Sequence, residues 1–319
     1  MNRKIAVACI LLCAAGMASA QNYPTKAVRI IVPYPAGGTS DILARLLSPK
    51  LNEVFGQPIV VDNRPGANGN IGADLVAKSP PDGHTMLLAD LGALTISPSI
   101  YKLPFDPVKD FAPVTMVTYS PHLLAVHPSV PAKTVKELVA LAKSKPGLLN
   151  FAVSGIGGAP HLAGIAFEAQ TGVKWTYIPY KGGSDAIIGL ASGQADAIFN
   201  GMLATYPHVK SGKLKLIAVS SAKRVASIPE VPTVAESGLN GFETGSWQGI
   251  VTAAGTPKEV IGRLNAEIAR ILNTPEMKEN LARQGAEVYT MTPEQLGNWL
   301  KKEIDKWAKV VRAANLKLE

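Results

Sequence analysis

Val28-Arg29-Ile30-Ile31-Val32-Pro33-Tyr34-Pro35-Ala36-Gly37-Gly38-Thr39-Ser40-Asp41 decides how the chain is read. Its β-branched apolar run predicts a buried strand. The chain then turns through Pro35-Ala36-Gly37-Gly38 and enters Ser40-Asp41-Ile42-Leu43-Ala44-Arg45-Leu46-Leu47, the opening of an amphipathic helix. Glycine frees such a turn for positive φ and for close approach by a ligand. The first helical N–H groups have no intrahelical partner, and the helix dipole adds positive potential there. A strand-to-helix turn of this kind is a seat for an anion.

The device recurs further along. Leu149-Asn150-Phe151-Ala152-Val153-Ser154 reads as a strand, Gly155-Ile156-Gly157-Gly158 as a turn and Ala159-Pro160-His161-Leu162-Ala163 as a helix start. Pro160 suits a first helical turn, where its missing N–H costs nothing. Two such turns suggest two α/β lobes offering donors to one carboxylate-bearing ligand.

Between them the strands and helices alternate. Strands are predicted at Pro58–Asp62 and His84–Asp90, with a short helix at Ile71–Ala77. This alternation implies a parallel sheet covered by helices, whose ligand crevice lies beyond the carboxyl ends of the strands. Phe111–Val117 and His122–Val126 read as two crossing strands separated by Tyr119-Ser120-Pro121. Thr134 and Glu137 form a capping box for the next helix. The second lobe alternates again as far as Leu214–Ser220, and the Pro- and Gly-rich stretch from Arg224 to Glu243 leads back. Gly249–Ala253 is the return strand, and amphipathic helices beginning near Pro257 and Pro293 pack outside the first lobe. The predicted division is a signal segment at 1–20, one lobe at 21–120 and 222–319, and the other at 121–221. Two such lobes joined by crossing strands make a hinged clamp.

The 319 residues carry 32 Lys and Arg against 24 Asp and Glu. Arg3 and Lys4, the apolar run Ile5–Ala15 and Ala18-Ser19-Ala20 have the order of an export signal. Its loss takes the formal charge from +8 to +6, since two positive residues leave. Both cysteines, Cys9 and Cys13, lie inside that segment, so neither disulfides nor thiolate metal sites hold the remainder. Leu12 stands where a lipid-anchored Cys13 would need a small residue. The scattered positive charge favours small anions over nucleic acid. The sequence has no His-Glu-x-x-His helix, Gly-x-Ser-x-Gly elbow, Walker loop or metal-ligand spacing. It calls for no metal and no cofactor. One enzymatic alternative is a Ser154–His161–Asp196 triad, because the chain order of such residues is free. Another reading is a receptor that presents its closed form to a sensor kinase.

The order of motifs resembles one family specifically. Tyr23-Pro24-Thr25-Lys26, Val32–Gly38 with Asp41, Asp62-Asn63-Arg64-Pro65-Gly66-Ala67 and Pro81-Asp82-Gly83-His84-Thr85 begin the series. Pro179-Tyr180-Lys181-Gly182, Gly193-Gln194-Ala195-Asp196 and Val231-Pro232-Thr233 complete it. Together they resemble the solute receptors of tripartite tricarboxylate transporters, the Bug family of periplasmic binding proteins. The resemblance implies an α/β, two-lobed type II periplasmic-binding fold that acts as a monomer and is not an enzyme. It implies capture of a small carboxylate: a dicarboxylate, an aromatic acid or an acidic amino acid. The ligand would pass to a two-subunit membrane permease. Carried over, the first-lobe contacts are Tyr34, Ala36, Gly37, Gly38, Asp90 and Leu91. Those of the second lobe are Ser154, Gly157, Gly158, His161, Tyr180, Lys181 and Asp196. Ile156 stands where relatives carry small hydroxyl residues, which favours a ligand with a hydrophobic body.

Single residues keep two readings each. Asp41 braces the helix start rather than touching an anion. His161 is either a donor to a carboxylate or a packed histidine, and Lys181 either a counter-ion or a solvated lysine. Tyr180 and Trp247 wall an aromatic ligand or belong to the core. Asp196 is a structural acceptor, or a contact for a ligand carrying an amine.

Overall fold

The structure, a computed structural model, describes residues 23–90 and 92–313. The export segment at 1–20 and the candidate contact Leu91 lie outside them. Strand β1 (Val28–Val32) leads to helix α1 (Thr39–Phe55), β2 (Ile59–Asn63), α2 (Asn70–Ala77), β3 (Thr85–Asp90) and the short α3 (Gly92–Ile96). The long β4 (Phe111–Val126) follows, then α4 (Val135–Ser144), β5 (Asn150–Val153), α5 (Ala159–Thr171), β6 (Thr176–Pro179) and α6 (Gly183–Ala191). After β7 (Ala197–Gly201), α7 (Met202–Lys210) and β8 (Lys215–Val219), the chain returns along β9 (Gly245–Ala253). It ends with α8 (Lys258–Leu272), α9 (Pro275–Arg283), β10 (Glu287–Val288) and α10 (Pro293–Ala313).

Strand order runs β2-β1-β3-β9-β4-β7-β5-β6, with β8 and β10 paired to β4. The first three strands are parallel, as their alternation with helices predicts, but β9 joins β3 antiparallel, and β4 pairs antiparallel with β9 and so runs in the direction of the first three. The sheet is therefore mixed, with the returning strand β9 as the one reversed member among these five.

The two crossing strands predicted on either side of Tyr119-Ser120-Pro121 are one. β4 runs through these residues, and Pro121 still faces Gly245 of β9. What changes there is the partner. Phe111–Pro121 pairs with β9, whereas His122–Val126 pairs with β7 and β8. One continuous strand thus belongs to both lobes. Pro121 has no N–H to give a ladder, so it sits where one ladder hands over to the next.

Side-chain alternation fills two layers in each lobe. Ile30 and Val32 pack beneath α1 and α8, while Ile31 faces the opposite layer with Ala73 and Val76 of α2. In the second lobe Phe151 and Val153 meet Phe167 of α5 and Trp175, and Ala152 meets Ile187 and Leu190 of α6. Thr134 caps the helix as predicted, but the return bond of the capping box goes one residue further back, to Lys133. Glu137 N–H donates to Thr134 Oγ1 at 3.1 Å, and the Glu137 carboxylate accepts from Lys133 N–H at 2.7 Å. The C-terminal helix reaches beyond the first lobe: Val311 packs with Ile96 and with Leu162 of α5.

Candidate functional site

The two glycine turns are conformational copies. Gly37 has φ +82° and Gly157 φ +78°, values that an L side chain adopts only with strain. The following N-cap glycines, Gly38 and Gly158, sit at φ −79°, ψ 168° and φ −77°, ψ 165°. In each turn the first glycine's amide is claimed from four residues on. Gly37 N–H donates to Asp41 Oδ2 at 2.9 Å, and Gly157 N–H donates to His161 Nδ1 at 2.9 Å. No side chain caps either helix, so the amides at the tips of α1 and α5 are left pointing outward.

Both tips border one narrow cleft with about 50 Å³ of free volume. Gly38, Thr39 and Ser40 face it from the first lobe, and Ser154, Gly158 and Ala159 from the second. Two further helix starts reach the same space, Gly183 of α6 and Gly201, which precedes α7. Four helix dipoles thus converge with their positive ends inward. No lysine or arginine lines the cleft among the described residues.

The polar side chains around it are held in place. Ser40 Oγ donates to Gln248 Oε1 at 2.6 Å, and Asn200 Nδ2 donates to Thr205 Oγ1 at 3.1 Å. Asn68, in the left-handed region at φ 55°, reaches from the first lobe over the second glycine turn. A Cβ on Gly155 or Gly158 would stand 2.9 Å from its Oδ1. The two halves also touch where Tyr101 Oη donates to the Ile156 carbonyl at 2.5 Å.

Asp90 is the acid of the site. Burial pushes it up to about 6, against the Ser246 hydroxyl and the Gly92 amide, which favour its ionised form. The stability that protonated Asp90 supports is therefore present below the unfolded carboxyl value near 4 and is lost as pH rises through about 6. Burial lowers His122 to about 3 and His161 to about 4. These two work in the opposite sense: their neutral forms give stability above about pH 6.5 that is lost on acidification. Asp90→Asn is accordingly expected to gain about 2 kcal/mol relative to wild type between pH 4 and pH 7.5. Urea unfolding at the two pH values checks this, and an unchanged difference between the two proteins would contradict it.

Of the residues predicted from sequence, Tyr34, Gly38, Asp90, Ser154 and Gly158 line the cleft together. Ala36 and Gly37 are exposed and are not among the residues that line it. His161 does not offer Nδ1 to a ligand, because Nδ1 accepts the Gly157 amide and the ring packs edge-on to Tyr177 at 4.6 Å. The same bond takes the Gly157 amide out of use. Lys181 is exposed and outside the lining, and Tyr180 packs against α6 and bonds Gln194. Asp196 is misplaced as a contact. It accepts from Asn150 N–H at 2.8 Å at the start of β5 and β7, about 13 Å of strand from the cleft end. For that reason the Ser154–His161–Asp196 triad is not assembled. Trp247 points to the far side of β9 from Ser246 and Gln248, which do line the cleft.

Thr39, Asn68, Asn200, Ser246 and Gln248 line the cleft without having been singled out from sequence. For Thr39 the signal was present, because it is the first residue of the helix that follows the glycine turn. Asn200 lies near the carboxyl end of β7, where the crevice opens. Asn68, Ser246 and Gln248 arrive through pairings far apart in the chain, and no local pattern announces them.

The profile described as "Tripartite tricarboxylate transporter family receptor" matches residues 43–316. BugT of Bordetella pertussis is 37% identical, over 100% of this chain and 99% of its own. The solved structure "R. palustris Rpa4515 with adipate" superimposes with a TM-score of 0.90 at 36% identity, covering 93% of this chain and all of that one. "MatC (Rpa3494) from Rhodopseudomonas palustris with bound malate" gives 0.85 at 32%, covering 91% and 100%. These matches agree with the glycine turns, the cleft between them and the two-lobed fold, and the chain belongs to the tripartite tricarboxylate transporter receptors, periplasmic solute-binding proteins of the Bug type.

Proposed function

We propose that this protein is exported, closes on a small carboxylate in the cleft and delivers it to a two-subunit membrane permease. The lobes that close are 21–120 with 222–319, and 121–221. The exchange of partners along β4 at Pro121 and His122 supports that division. The observation that carries the reading is the meeting of four helix N-termini at a cleft that no lysine or arginine lines among the described residues. Unpaired amides and aligned dipoles favour an anion there, and charge-assisted bonds to fixed donors are strong. The carboxylate would take the amides at the tips of α1 and α5, with Ser154 and Asn200 beside them. The adipate and malate held by the two solved relatives fit the same ligand class.

Protonated Asp90 would tolerate a carboxylate that ionised Asp90 would repel. The measurement is a thermal-shift panel of dicarboxylates, acidic amino acids and aromatic acids, followed by calorimetry. At least one acid is expected to bind at micromolar Kd or tighter, about −8 kcal/mol, with its uncharged amide much weaker. A panel without a binder, or equal binding of acid and amide, would refute the anion seat. Loss of uptake of that acid on gene deletion tests the permease step, whereas normal uptake with lost induction would point to a sensor.

A further inference from the structure

On the other face of β9 from the narrow cleft lies a second and much larger cavity, of about 670 Å³. Successive residues of β9 point to opposite faces, so Ser246 and Gln248 line the narrow cleft while Gly245 and Trp247 line this cavity. Asp90 and Ala159 stand at the partition between the two. The walls are apolar and aromatic. Leu162, Ile165 and Ala166 of α5 form one side, Trp299 and Trp307 of α10 the other, and Tyr119 and Trp247 the floor. The cavity presents the flank of α5, and the four helix starts that meet in the cleft do not converge here.

One observation indicates an occupant, and a second restricts its charge. Thr95 is fully buried in the wall, and its Oγ1 has no hydrogen-bond partner. A buried hydroxyl without a partner is costly, and a ligand group that bonded it would remove that cost. The second is charge. Glu243 stands at the edge together with the Glu303–Lys306 pair, in which Lys306 Nζ is 3.1 Å from both carboxylate oxygens. That balance is negative and disfavours an anion.

We propose that this cavity is a second binding site, separate from the carboxylate cleft, for an uncharged aromatic molecule carrying one hydrogen-bonding group. Its rings would lie among Trp247, Trp299 and Trp307, and its polar group would meet Thr95 Oγ1. The site does not rest on the carboxylate reading, since the test uses the full-length protein alone.

The probes are 1-naphthol and naphthalene, read by equilibrium dialysis and by quenching of tryptophan emission. Saturable uptake of one 1-naphthol per chain is expected. Ala166→Trp, which intrudes on the cavity, should weaken both probes at least tenfold. Thr95→Val keeps the shape and removes the hydroxyl, so it should weaken 1-naphthol about threefold to tenfold and leave naphthalene unchanged. Absence of saturable uptake, or equal binding by Ala166→Trp, would overturn the proposal. So would equal loss of both probes in Thr95→Val. Uptake seen only after residues 314–319 are deleted would assign the cavity to the chain's own C-terminal segment and overturn it as well. A carboxylate panel without a binder would leave all of these outcomes readable.

Discussion

Gly182→Leu is expected to weaken carboxylate binding at least a hundredfold while leaving the fold nearly as stable as before. Gly182 precedes α6 in extended backbone, φ 177°, which leucine adopts without strain. A Cβ there would stand 2.4 Å from Pro35 Cδ, across the cleft in the first lobe. Pro35 belongs to the turn that carries the α1 tip, and its ring has no rotamer with which to retreat. The closed form must therefore shift, while an open form has nothing at that place to strike. Overpacking of this kind costs on the order of 3 kcal/mol, a factor of about one hundred in affinity. Calorimetry with an acid that binds the wild type gives the affinity, and small-angle scattering gives the closed fraction on saturation. Unchanged affinity would show that closure does not bring the lobes as near as Pro35 and Gly182 now stand.

The second large effect falls on stability. Asp41 is buried, and its carboxylate accepts from Gly37 N–H at 2.9 Å, Arg45 Nε at 2.9 Å and Asn63 Nδ2 at 3.0 Å. Burial alone would raise its pKa, but those three donors outweigh burial and hold it below the ordinary carboxylate value. Its ionised form therefore gives stability above the ordinary carboxyl range that is lost as the pH falls below it. Asp41→Ala leaves the Gly37 amide and one Asn63 proton without their acceptor and loosens the turn that aims α1. A loss of about 2–4 kcal/mol is expected in urea unfolding at pH 7, with Asp41→Asn intermediate. A loss below 1 kcal/mol would mean that the turn holds its shape without the carboxylate.

The two glycine turns were legible in the sequence because their information is local. Gly37-Gly38 and Gly157-Gly158 each follow a β-branched or apolar run and precede a helical pattern, and both fold as those patterns require. Asp41 was read as a brace, and it is one. Its counterpart His161 was harder to read, because imidazole can donate or accept and only the fold shows that Nδ1 takes the Gly157 amide. Lys181 looked like a counter-ion by charge alone, yet nothing in its sequence neighbourhood says that it points outward. Of the two readings of Asp196 the structural acceptor is the one that holds, for a topological reason: it stands at the start of a strand, and the crevice lies where strands end. β4 was read as two strands because Pro121 resembles a break. A proline that ends one ladder and begins the next gives the same local signal as one that ends a strand.

The first-glycine amides are spent inside their own turns, on Asp41 and His161, and those that remain at the cleft are backbone groups. Exchange of a surrounding side chain leaves such donors in place as long as the turns fold. On the proposed reading the grip on negative charge is thus insulated from most point changes, while Asn68, Asn200, Ser246 and Gln248 remain free to vary. A receptor built this way can acquire a new cargo by changing what it recognises beside the acid group, with its hold on the acid group already secured.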